Sequence, residues 1–135
     1  MMAPLYPKFP QIFLPPRIPT EKIRIISILI DMLRFKQVIY KGDKTVEVGA
    51  GCLWSDVYTV LEKYQRNVVG GSGPQGVGVA GFLMGGGYSF PKTNQFGLGI
   101  DNIVAYEVVL PSGDVIKVLP DGDTADLFNA LRVIS

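Results

Sequence analysis

The sequence predicts an α+β domain with a mixed or antiparallel sheet and flanking helices. Three observations carry this reading. Two pairs of short β-rich runs are each joined by a tight turn. Helical periodicity appears between those pairs and again after the second. Eleven of the sixteen glycines lie between Gly70 and Gly99, which separates a glycine-rich middle from an ordinary α/β end. Because two connections read as hairpins rather than crossovers, a doubly wound parallel sheet is not expected.

Taken in order, residues 1–20 carry six of the ten prolines, a density that blocks helix and sheet interiors and predicts an extended tail. Residues 25–30 are β-branched and predict a strand, with a turn or short helix over 31–35. Residues 37–40 and 45–48 flank Lys41-Gly42-Asp43-Lys44 and predict a hairpin with Val46 and Val48 on one face. From Leu53, the apolar residues Leu53, Val57, Val60, Leu61 and Tyr64 fall at helical spacing beside Trp54. That helix is expected to end near Asn67, a residue that tolerates a left-handed helix end. Val68-Val69 predicts a strand that runs into the glycines. Residues 103–110 and 115–119 around Pro111-Ser112-Gly113-Asp114 predict a second hairpin. Residues 126–131 open an amphipathic helix that Asp123 or Thr124 would cap.

Composition narrows the chemistry. A chain of 135 residues, 47% apolar, suits one domain or part of one. A formal charge of +1 gives no basic field for nucleic acid. No window is long and apolar enough for a spanning helix, and the start lacks the pattern of a signal peptide. The single cysteine, Cys52, excludes an internal disulfide framework and reads as a small buried residue. The absence of histidine removes Ser-His-Asp and Cys-His catalysis and every His-ligated metal.

Chemistry is expected in residues 70–90, GGSGPQGVGVAGFLMGGGYSF. Glycine lets backbone N–H groups approach a ligand without side-chain obstruction. Residues 76–81 match GxGxxG, and Asp101 lies 20 residues beyond Gly81, as in a dinucleotide fingerprint. That fingerprint must open a long helix, whereas Phe82-Leu83-Met84 runs straight into Gly85-Gly86-Gly87. The P-loop pattern fails too, since no Lys-Ser or Lys-Thr follows the glycines.

The order of four motifs resembles the flavin-binding domain of the vanillyl-alcohol oxidase and p-cresol methylhydroxylase family, especially its berberine-bridge-like FAD-linked oxidases. The motifs are VEVGAGCLWSDVYTVLEKY, VVGGSGPQGVGVAGFLMGGGYSF, FGLGIDNIVAYEVVLPSGDVI and DLFNALR, and the resemblance covers about residues 28–132. The resemblance implies a two-subdomain fold holding an extended FAD, of which this stretch is the second subdomain plus the end of the first. It implies FAD contacts at Gly70, Gly71, Ser72 and Gly73, then at Gly78, Val79 and Gly81. A loop beneath the ring system would be formed by Gly85, Gly86 and Gly87 with Tyr88, and Val109 would lie near the adenine. On the residues alone Val109 and Tyr88 read as core, and Asp101-Asn102 reads equally as a structural turn or a ligand contact.

The family's pyrophosphate loop with its histidine has no counterpart here, and neither does its substrate domain. The expectation is therefore a tail over 1–27 and a partial FAD-binding domain over 28–135, truncated or mis-spliced at both ends, with no catalytic residue of its own. Two alternatives remain open at this point: a non-catalytic remnant that binds flavin weakly or not at all, and a nicotinamide-binding Rossmann fragment. Half a cleft would also expose apolar surface and favour self-association.

Overall fold

The computed structural model describes residues 30–72, 76–90 and 92–132. The chain divides into Met1–Ile30 and Asp31–Ser135. Of the first unit only Ile30 is described, so the expected proline tail and the strand at 25–29 lie outside the described residues. Everything below concerns the second unit, an α+β arrangement of two antiparallel hairpins and four helices among the described residues.

A 3-10 turn over Met32–Arg34 leads into β1 (Val38–Tyr40), which pairs antiparallel with β2 (Val46–Val48). The turn between them takes positive φ at Gly42 and Lys44, and the Asp43 carboxylate accepts the Thr45 N–H at 3.0 Å. Val38, Tyr40, Val46 and Val48 share the inner face, as the alternation predicts, and pack on helix α1 (Trp54–Glu62). The start of α1 is held by the Asp56 carboxylate, which accepts the Leu53 N–H at 3.0 Å. Trp54, Val57 and Leu61 form its buried stripe, and with Cys52 and Val79 they make the main core. The helix stops earlier than its periodicity predicts. Its chain turns at Lys63, and Gln65, not Asn67, takes the left-handed conformation (φ 53°).

Helix α2 (Val79–Met84) is laced to the start of α1 by backbone bonds, Trp54 N–H to Val77 O at 3.0 Å and Val79 N–H to Cys52 O at 2.9 Å. It ends at Gly85, and Gly86 and Gly87 follow with positive φ. GxGxxG therefore opens a helix of only six residues among antiparallel strands, so the nicotinamide Rossmann reading finds no support. A short helix α3 (Thr93–Phe96) and a 3-10 turn over Gly99–Asn102 bring the chain back, where the Gly99 N–H donates to Gly87 O at 2.8 Å.

The second hairpin pairs β3 (Tyr106–Val109) with β4 (Val115–Val118). Tyr106 and Val118 face inward beneath α4 (Ala125–Arg132), whose Phe128 is buried with its ring 5.4 Å from that of Tyr106. Thr124 does not cap α4. Its hydroxyl accepts the Leu119 N–H at 2.9 Å and ties the strand end to the helix instead. Arg132 reaches back to Asp101 at 3.0 Å, a half-exposed pair worth roughly 0–1 kcal/mol. No helix among the described residues is long and apolar enough to cross a membrane.

Truncating Leu61 to alanine removes atoms from the main core, and the expected loss is about 2–5 kcal/mol. Ile39 faces outward from β1, and its alanine variant is expected to lose less than about 1 kcal/mol. Guanidinium unfolding of both variants checks the contrast.

Candidate functional site

Residues 68–71 cross the face of Trp54. The Trp54 ring stacks on Tyr58, with centroids 6.1 Å apart, and meets Phe82 edge-on at 5.3 Å. A Cβ on Gly70 would enter the indole ring, and one on Gly71 would stand 2.8 Å from Trp54 Cδ1 and 2.9 Å from Val77 Cγ1. Backbone can lie this close to the ring only because both residues lack a side chain.

The strand expected at Val68-Val69 is absent: neither residue is in a strand. Its carbonyls are taken by side chains instead. Lys92 Nζ donates to Val68 O at 2.8 Å, Ser89 Oγ to Gly70 O at 2.6 Å, and the Tyr58 hydroxyl to Gly71 O at 2.8 Å. In a trans peptide the carbonyl and the following N–H point in opposite directions. Pinning the carbonyls of Gly70 and Gly71 therefore fixes which way the N–H groups of Gly71 and Ser72 face.

This segment borders an open depression of about 520 Å³ whose walls include Tyr58, Arg66, Asn67, Phe90 and Lys92, with Ser72 exposed at its rim. Burial pushes the Tyr58 phenol up from its ordinary range and pushes the Lys92 ammonium down. Lys92 is held by Asn67 Oδ1 at 2.8 Å and stands 5.4 Å from the centre of the Tyr58 ring.

The residues singled out in the sequence fall into several groups. Gly70, Gly71 and Ser72 lie together along the depression, while Gly73 is outside the described residues. Val79 turns its side chain into the core, and its N–H is committed to Cys52. Gly86 and Gly87 are buried in the loop, where the fold itself requires glycine at position 87: its φ is +76°, and a Cβ there would lie 2.9 Å from Gly99 Cα. Val109 and Tyr88 are not core. They are 63% and 62% exposed, Val109 on the outer face of β3, where inward and outward positions alternate, and Tyr88 beside the inward-turned Ser89. Asp101 and Asn102 build a turn, since Asp101 accepts the Leu98 N–H at 2.9 Å and Asn102 Nδ2 donates to Phe96 O and Leu98 O.

Tyr58, Ser89 and Lys92 escaped the sequence reading. Tyr58 carried one signal, its position four residues after Trp54 on the same helix face. Ser89 sits between two exposed aromatics, an alternation that marks it as the inward residue of an extended segment. For Lys92 the sequence offers no local signal.

Gly78 and Gly81 differ from the other glycines. Neither has positive φ, and a Cβ on either would meet nothing within 4 Å among the described residues. Neither backbone conformation nor packing among those residues demands glycine there, yet Gly81 inside a helix costs about 0.5–1 kcal/mol relative to alanine. Gly85, one turn further along α2, would place a Cβ only in ordinary van der Waals contact. Together they leave a strip of bare backbone on one face of α2.

A family model described as FAD binding domain matches residues 20–119. The chain is 40% identical over 108 residues to the FAD-dependent monooxygenase yanF of Aspergillus niger, covering 78% of this chain and 18% of that protein. It is 39% identical over 107 residues to the FAD-dependent monooxygenase tpcD of Cochliobolus heterostrophus, covering 78% and 20%. It is 36% identical over 107 residues to the FAD-linked oxidoreductase pytB of Aspergillus terreus, covering 78% and 13%. The chain belongs to the FAD-binding domain family of FAD-linked oxidoreductases, and its cofactor is FAD. It spans a fifth or less of the length of these relatives. The local geometry fits that cofactor: the strip along Gly78, Gly81 and Gly85 admits close approach to backbone, and the exposed side chains of Met84 and Tyr88, near Gly85 in the chain, supply apolar surface.

Two outcomes follow. Gly70→Ala is expected to destabilise the fold by about 1–3 kcal/mol, because the Trp54 ring cannot retreat from a fully packed core; thermal unfolding measures it. Burial raises the folded-state pKa of Tyr58 above its unfolded value near 10. The folded protein then binds this proton more tightly, so the stabilisation is complete below about pH 10 and is lost as pH rises further. Denaturation at stepped pH is expected to give a shallower alkaline decline in Tyr58→Phe than in the parent chain.

Proposed function

We propose that this domain holds FAD through backbone, along two surfaces: the Gly70-Gly71-Ser72 segment, continuing into Gly73, and the bare strip of α2 formed by Gly78 and Gly81 and extended by Gly85, which the core-facing Val79 anchors from behind. Gly86 and Gly87 shape the loop that follows, and Val109 contributes from the outer face of β3 toward the adenine end. The observation that carries the reading is Gly81, a glycine inside α2 that no contact among the described residues requires and whose cost a ligand in close contact would offset; Gly78, the N-cap of the same helix, is equally uncrowded. The domain thus serves as the flavin-holding part of an FAD-linked oxidoreductase. FAD, when bound, supplies the hydride-accepting chemistry, and the role of this chain is to orient it and keep water from its bound face.

A second feature concerns the domain without cofactor. Met84, Tyr88 and Phe90 are 74%, 62% and 68% exposed within one short stretch of chain, apolar surface that favours self-association when nothing covers it. Sedimentation velocity over a range of concentrations is expected to show association of the FAD-free chain, reduced when FAD is added.

Gly81→Ala separates a ligand surface from a packing role. If FAD lies on α2, the substitution raises the unfolding free energy of the FAD-free protein by about 0.5–1 kcal/mol. The same change weakens FAD about tenfold or more, roughly 1.4 kcal/mol. Calorimetric titration beside chemical denaturation gives both values. A variant that gains stability and keeps its affinity would contradict the reading.

A further inference from the structure

The proposal that FAD rests on the Gly70–Ser72 backbone leaves open what holds a glycine pair in one conformation. Glycine populates both signs of φ almost equally, so an unsupported Gly-Gly step would have to be ordered by the ligand itself. Here it is supported from two sides. From α1, the Tyr58 hydroxyl donates to Gly71 O at 2.8 Å. From the segment after the glycine loop, Ser89 Oγ donates to Gly70 O at 2.6 Å and Lys92 Nζ to Val68 O at 2.8 Å.

The supports are themselves interlocked. Ser89 donates its N–H to Thr93 Oγ1 at 2.7 Å and accepts the Thr93 N–H at 2.7 Å, so its buried hydroxyl has little freedom. Lys92 also bonds Asn67 Oδ1 and lies against the Tyr58 ring, which in turn stacks on Trp54. Three carbonyls within four residues are thus gripped by side chains rather than by a neighbouring strand, an expensive use of a buried hydroxyl, a half-buried phenol and an ammonium if the segment were only filling space.

We propose that Tyr58, Ser89 and Lys92 are positioning residues for FAD, acting through the backbone of residues 68–71 to keep the N–H groups of Gly71 and Ser72 turned toward the cofactor before it arrives. The inference rests on the FAD-binding reading above. None of the three side chains need touch the cofactor. Their effect is to remove the ordering of a flexible segment from the binding step, so losing any one weakens FAD even in a protein that remains folded.

The test is FAD titration of the full 135-residue chain, comparing the parent with Tyr58→Phe, Ser89→Ala, Lys92→Met and Lys92→Arg, together with amide hydrogen exchange of each protein saturated with FAD. Tyr58→Phe, Ser89→Ala and Lys92→Met are each expected to raise the Kd about tenfold while unfolding stays cooperative. Lys92→Arg is expected to recover most of the loss, because a guanidinium supplies donors for both Asn67 and Val68. The Tyr58→Phe/Ser89→Ala double variant is expected to lose less than the product of the single effects, since either change already frees the segment. Exchange should quicken at Gly71 and Ser72 and stay unchanged in α4. A parent chain that binds FAD while every variant binds it equally well would overturn the inference alone, as would exchange that quickens equally in α4. A parent chain that takes up no FAD would overturn the binding reading and this inference with it.

Discussion

The close approach of the Gly70–Gly71 backbone to the Trp54 indole is the constraint on which the rest of this domain depends. The sole tryptophan of the chain is where helix α1, the glycine segment and helix α2 meet, through Tyr58 on one side and Phe82 on the other. Its indole N–H is buried and finds no acceptor among the described residues, a cost of about 1–3 kcal/mol. The aromatic packing and the buried area of the ring outweigh it. Remove the ring, and the glycine segment has no floor. Add a side chain at either glycine, and the segment lifts away from the donors that orient it.

Much of the fold was legible because it follows from local rules. Both hairpins announce themselves through alternation around turn residues, and the α1 stripe of Trp54, Val57 and Leu61 through helical spacing. The end of α2 was readable from Gly85-Gly86-Gly87. The errors arise where tertiary contacts overrule local preference. Val68-Val69 has the composition of a strand, but neither residue is in one, and Lys92 from a distant position takes the Val68 carbonyl that a strand partner would use. Val109 and Tyr88 look apolar enough for a core, yet Val109 lies on the outer face of its hairpin and Tyr88 beside the inward-turned Ser89. Thr124 is a good cap by type, yet its hydroxyl is drawn to Leu119.

The candidate site was legible as a region and not as a mechanism. The density of glycine marked residues 70–90, and the order of motifs pointed to FAD, which the family match bears out. Sequence alone does not separate glycines that the fold requires from glycines that it does not. Gly70, Gly71 and Gly87 answer to Trp54, Val77 and Gly99, whereas Gly78 and Gly81 answer to nothing among the described residues. That division depends on three-dimensional proximity, as does the convergence of Tyr58, Ser89 and Lys92, which are up to 34 positions apart in the chain. A backbone-built flavin surface of this kind leaves few side-chain signatures for a motif to record.

The most direct test of the account is a titration of the full chain with FAD, read through the emission of Trp54, the one tryptophan lying beneath the segment proposed to meet the cofactor. The account predicts saturable quenching at micromolar FAD, together with a raised melting temperature. An emission unchanged up to about 1 mM FAD, weaker than roughly −4 kcal/mol, would contradict it.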